Sequence, residues 1–172
     1  LEIAAVTVPD DEKLTALLQE EVWNKNELLL EMPQITLNTC KLGDSYCFVW
    51  PDEDGSVEIT YNSPNCLTAV YDPEHPRRMM YAVKAWSLGG REGRTRAEIY
   101  YPEKIERWIT KAKATGKAEN WEPYEDPEQG IAAEEVNPYG VLPVFHFRTN
   151  SPYGEPEHID AYEPQDALNK LS

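Results

Sequence analysis

The sequence predicts an α+β fold: N-terminal helices, then a mixed, mostly antiparallel β-sheet, then the start of a further helix. Three observations carry this reading. Leucines recur at helical spacing in the first part of the chain, at Leu14, Leu17 and Leu18. From Tyr46 onward, aromatic and β-branched residues alternate with polar ones between turn signals. Near the end, Ile159, Tyr162, Leu168 and Leu171 return to a helical rhythm.

The elements follow in order. Pro9-Asp10-Asp11 opens a first helix, with an aspartate to cap it and Glu12 near the positive end of its dipole. Leu14, Leu17, Leu18 and Val22 form its apolar face, and Trp23 to Asn26 end it. A second helical stretch runs from Leu28 to Leu42, where Pro33 must kink or start it and Gly43 stops it. Tyr46 to Trp50 and Val57 to Tyr61 read as two strands joined by a turn with Asp54-Gly55 at its centre. Leu67 to Tyr71, Met79 to Trp86 and Thr95 to Tyr101 read as further strands, and Lys104 to Thr110 fits either a strand or a short helix. Lys111 to Glu135 reads as a long exposed acidic loop. Val141 to Phe147 is an apolar strand that Pro143 assigns to an edge or a bulge. Thr149 to Glu157 is a loop before the last helix.

A length of 172 residues makes one domain overall. Its segments are a helical part (1–43), a β-rich core (44–148) containing the acidic loop (111–135), and a loop with the start of a helix (149–172). The chain begins at Leu1 and stops within an amphipathic pattern, so it is read as a fragment of a longer protein. No apolar run approaches the ~18 residues of a membrane span, so no membrane partner is expected.

Charge excludes some functions. With 31 acids, 16 bases and a net charge of −15, most of the surface repels nucleic acid. A generic DNA-gripping domain is excluded; a surface that DNA slides past is not. The charge is also unevenly placed. Asp72 to Lys117 holds 11 bases and 6 acids, whereas Glu119 to Glu135 holds seven acids and no base.

Candidate sites stand beside plainer readings. Cys40, Cys47 and Cys66 are an odd set with irregular spacing, best read as free thiols among apolar neighbours in a reducing compartment. Asp52-Glu53-Asp54-Gly55 with Glu58 has the composition of a calcium loop, but its glycine is misplaced and a hairpin turn explains it. His75, His146 and His158 lack metal-ligand spacing; His146 reads as a strand residue with a satisfied nitrogen, and its pairing with a cysteine nucleophile has no local signature. No phosphate-binding loop is present, and no catalytic residue, cofactor or metal is assigned. The best charged cluster is Arg77, Arg78, Arg91, Arg94 and Arg96. It reads as a solvated hairpin end or as a contact for something acidic, either DNA phosphate or the acidic face of a neighbouring copy.

The motifs resemble those of one family. Leu42-Gly43-Asp44-Ser45-Tyr46 and Val49-Trp50-Pro51-Asp52-Glu53-Asp54-Gly55 are similar to the G-D-(A/S)-Y and V-W-x-D-x-D-G passage of tailed-bacteriophage portal proteins. Ser63-Pro64, Tyr71-Asp72-Pro73-Glu74, Ala82-Val83-Lys84-Ala85-Trp86 and Tyr100-Tyr101-Pro102-Glu103-Lys104-Ile105 fit the passages that follow. The strongest match is Asn137-Pro138-Tyr139-Gly140-Val141-Leu142-Pro143-Val144-Phe145-His146-Phe147, and Asp166-Ala167-Leu168-Asn169-Lys170-Leu171 resembles the core of a later helix. The resemblance covers Val22 to Ser172 and departs at Pro33, which interrupts a segment expected to be a smooth helix.

The resemblance implies the wing-like core of a portal, ending where a stem helix starts. It implies a structural, non-enzymatic role in a homo-oligomeric ring, usually of twelve copies, at one vertex of the phage head in the virion. Double-stranded DNA would pass through the channel during packaging and ejection. Terminase, a head–tail adaptor, scaffold and capsid proteins would be partners, with assembly in the bacterial host cytoplasm. The rival readings are an acidic hydrolase fragment working through a carboxylate pair and an acidic protein-binding module.

Overall fold

Asp11 starts the first helix by accepting a hydrogen bond from the Leu14 amide at 2.8 Å. The computed structural model describes residues 7–52, 54–90, 93–111, 118–150 and 152–170. Helix α1 (Glu12–Leu17) passes directly into a π-helical segment, Leu18–Asn24. Trp23 is buried within that segment. Helix α2 (Leu28–Leu42) starts five residues before Pro33 and runs on through it, so the proline does not open the helix. Its buried face is Leu28, Ile35 and Thr39, and it ends at Gly43, whose φ of +87° suits glycine.

The strands are β1 (Asp44–Pro51), β2 (Val57–Asn62), β3 (Leu67–Tyr71), β4 (Met79–Gly89), β5 (Arg94–Tyr100), β6 (Lys104–Thr110), β7 (Trp121–Pro123), β8 (Glu134–Val136) and β9 (Val144–Arg148). Helix α3 (Tyr162–Asn169) follows a short 3₁₀ turn at Ile159–Ala161. Every strand pair among the described residues is antiparallel. The α+β expectation therefore holds, with helices first, sheets next and a helix last.

The chain divides into two compact units. The first holds residues 1–64 and 144–172, and the second holds Asn65–Pro143. The second is thus inserted between two strands of the first. In the first unit the sheet order is β2-β1-β9, with Phe48 opposite Val144 across the insertion. Pro143 has no amide hydrogen to give a ladder, and β9 begins at the next residue. Trp23, Leu28, Ile35, Tyr46, Cys47 and Val144 make this unit's core.

In the second unit the order is β3-β4-β5-β6-β7, and β8 also pairs with β6. Its core comprises Leu67, Ala69, Ala82, Ala97, Tyr100, Ile105 and Ile109. Complete burial of a side chain such as Leu67 stabilises by about 2 kcal/mol. The expected acidic loop is more ordered than its composition indicates. A 3₁₀ turn at Ala118–Asn120 leads into β7, and β8 returns along the other half of β6.

Candidate functional site

The densest hydrogen-bonded joint of the first unit lies where α2 ends and β1 begins. The Gly43 amide donates to the Thr39 carbonyl at 2.7 Å, turning the chain out of the helix. The next residue, Asp44, uses one carboxylate oxygen twice. Oδ1 lies 2.7 Å from His146 Nε2 and accepts from the Gly154 amide at 2.7 Å. Ser45 shares a short hydroxyl–hydroxyl hydrogen bond with Thr39, and Tyr46 stacks on the His146 ring at 4.4 Å. Backbones also approach closely here. A Cβ on Gly154 would lie 1.8 Å from the Gly43 carbonyl oxygen, so a side chain cannot enter without displacing the backbone.

His146 is the strand residue with a satisfied nitrogen that its sequence context indicates. Its side chain is only 2% exposed, and burial, opposed by Asp44, holds its pKa below the ordinary histidine value. It lines an open cleft of about 390 Å³ together with Cys40, Thr36, Thr39 and Arg148. The cleft brings a cysteine and a histidine to one place, yet the chemistry there is not that of an activated thiol. A hydrogen bond with Glu157 raises the Cys40 pKa, and burial helps, so the protonated thiol is favoured over the nucleophilic thiolate. Burial likewise pushes the Cys47 thiol up to about 11, with Glu31 adding to the effect.

The turn that the calcium-like composition marks is a hairpin. Asp54 accepts from the Ser56 amide at 2.8 Å and pairs with Lys25 at 2.9 Å. Asn26 then treats β2 as a strand partner would: its Nδ2 donates to the Val57 carbonyl and its Oδ1 accepts from the Ile59 amide. Among the described residues, no group of three or more acidic, histidine or cysteine side chains could hold a metal ion.

The arginine cluster separates into two places. Arg77 and Arg78 sit exposed in the turn before β4, a turn closed by Asp72 and His75. Arg94 and Arg96 lie on β5, opposite the far end of β4. Eleven residues of β4 separate the two ends, roughly 30 Å of extended chain. Arg91 lies outside the described residues.

Arg96 is part of an internal network. Its guanidinium sits 4.2 Å from the Tyr124 ring centroid and 5.3 Å from that of Trp86. It pairs with Glu98 at 2.9 Å, and Glu98 also faces Arg107 Nε at 3.5 Å and accepts from the Tyr100 hydroxyl. Arg107 pairs with Glu135 at 2.8 Å, and Lys104 pairs with Glu106 and Glu134. The arginine count on the linear sequence does not reveal this network. The signal that does is the period-two run Arg94, Arg96, Glu98, Tyr100, which sets one face of β5 with alternating charge. The basic and acidic stretches of the sequence thus meet within one unit, through Glu134 and Glu135.

The model of one protein family, described as phage portal protein, SPP1 Gp6-like, matches residues 4–171. The chain belongs to this portal protein family. No curated protein was found to match it. Portal proteins of this family are structural components of the phage head, and the geometry gives the portal motifs joint-forming work. The Gly43–Tyr46 motif is the α2–β1 joint. The Asn137–Gly140 motif is a clamp: buried Asn137 donates to the Tyr101 and Val141 carbonyls at 3.0 and 2.8 Å and accepts from the Tyr139 amide. Among the described residues, no helix is long and apolar enough to cross a membrane.

Proposed function

We propose that this chain is a wall segment of a portal ring, probed and passed by DNA but not altering it chemically. The supporting observation is family membership over nearly the whole chain, in which motif residues serve as structural joints. In this reading identical copies, twelve by family habit, surround a channel at the head vertex. Double-stranded DNA enters during packaging and leaves during ejection. Terminase supplies the energy, and adaptor, scaffold and capsid proteins contact the ring; assembly takes place in the host cytoplasm. The net charge of −15 supports passage over capture, because a negative wall releases few counterions from DNA.

Of the arginines, Arg77 and Arg78 are the exposed candidates for a subunit or DNA contact. Electron microscopy of the full-length gene product tests the reading. Closed rings with a central passage are expected. A product that stays monomeric at working concentration, or is found unassembled inside mature particles, overturns it.

A further inference from the structure

Helix α2 is apolar on two sides. Its inner side, Leu28, Ile35 and Thr39, is buried. Leu29, Leu30 and Leu37 project from the opposite side, with Leu30 70% and Leu37 47% exposed. At 100° per residue, Leu30 and Leu37 fall within about 20° of each other, and exposed Pro33 completes a ridge along the helix. A helix apolar all round belongs in a covered environment, yet nothing in the chain covers this ridge.

The second unit carries a hollow of matching character. On the sheet face turned away from the Arg96 network, Val83, Ala97, Ile99, Trp108, Ala118 and Trp121 line an open apolar pocket of about 450 Å³. Both tryptophans are only half-buried. Large aromatic side chains in an open apolar hollow have the character of an interface anchor rather than of a finished core.

We propose that the α2 ridge of one copy seats in the tryptophan hollow of the next copy around the ring. The inference rests on the ring reading and adds the surfaces that meet. Two arguments favour a second copy as occupant. Every copy carries both ridge and hollow, which is what a head-to-tail contact requires if it is to repeat around an axis and close. Charge is also complementary. The ridge belongs to a unit with 18 acids and five bases, and exposed Glu27 and Glu31 flank it. The hollow belongs to the stretch Asp72–Lys117, which has 11 bases and 6 acids. Exposed Lys111 follows the strand that carries Trp108, and Glu106 on the same sheet face is already paired with Lys104 at 2.6 Å.

The test uses the full-length gene product with a photo-crosslinking benzophenone amino acid at Leu30. Under light, assembled protein should join to a neighbour within residues 104–123, as read by mass spectrometry of the digested adduct. Rings whose Leu30 joins elsewhere, or to no neighbouring copy, overturn this contact and leave the ring reading intact. Absence of any ring overturns both. As a second measurement, Leu30→Glu with Leu37→Glu, and separately Ala118→Arg, should raise the concentration for half-assembly about tenfold or more. Both changes fall on exposed positions, so the melting temperature of the unassembled protein should not move. Unchanged assembly in both variants refutes the proposal.

Discussion

The two units hold themselves together by different means. The first is strongly acidic, with 18 acids and five bases, and its central joint turns on a single carboxylate serving a backbone amide and a buried histidine. The second has 13 acids and 11 bases, and its strands are tied by charged pairs across neighbouring positions. The comparison teaches where repulsion is tolerated. In the first unit, close backbone packing and directed hydrogen bonds provide cohesion, leaving its surface charge unbalanced and available for a channel wall. In the second, opposite charges meet internally, and little net charge remains.

The strongest way to break the contrast is at the tight joint. Gly154→Ala places a methyl group against the Gly43 carbonyl, where backbone must move, and the expected loss is about 3 kcal/mol. Gly140→Ala is the control. Its φ of +64° disfavours alanine, but nothing lies within 4 Å of the added carbon, so only about 1 kcal/mol is expected. Urea unfolding of the two variants should separate them. Equal losses would mean that close packing is not what holds the first unit's joint.

The next prediction sets the two arginine locations against each other. Arg96→Glu puts a carboxylate beside Glu98 in a setting where the native side chain is only 15% exposed, and it removes the stacking on Tyr124 and Trp86. A destabilisation of about 2 kcal/mol is expected. Arg77→Glu with Arg78→Glu, both in an exposed turn, should change unfolding by less than about 0.5 kcal/mol. Matched melting curves decide it. If the exposed pair proves the more damaging, the second unit does not depend on its internal charge network.

How far the sequence foretold this follows from the range of each interaction. Local signals were legible: Asp11 as a cap, Gly43 as a helix stop, the Asp54-Gly55 turn, and the alternation of β1 through β6. Effects that depend on chain reversal were not. Arg78 and Arg94 look like neighbours in a list of basic residues, but β4 runs its full length between them. The stretch Lys111 to Glu135 has loop composition, and only the edge of β6 gives β7 and β8 something to pair with. Pro33 looked like a helix boundary, yet the helix accepts it at an exposed position inside. The Asp44–His146 contact joins residues 102 positions apart, and nothing local to either one announces it.

The mildest probe acts on that contact through pH. His146 is buried, and burial depresses its pKa in the folded state even though Asp44 pulls the other way; Arg148 adds to the depression. An unfolded chain binds a proton on this histidine as pH falls below about 6.5, while the folded chain resists doing so. Stability from this residue is therefore complete above that pH and declines as the solution is acidified through it. His146→Gln keeps a polar group near Asp44 but cannot titrate. Its melting temperature should be lower than that of the parent at pH 8, with a smaller further fall between pH 7 and pH 5. A parent protein that instead gains stability over that interval, relative to the variant, would show that Asp44 outweighs burial and holds the imidazole protonated, making the joint an ion pair like those of the second unit.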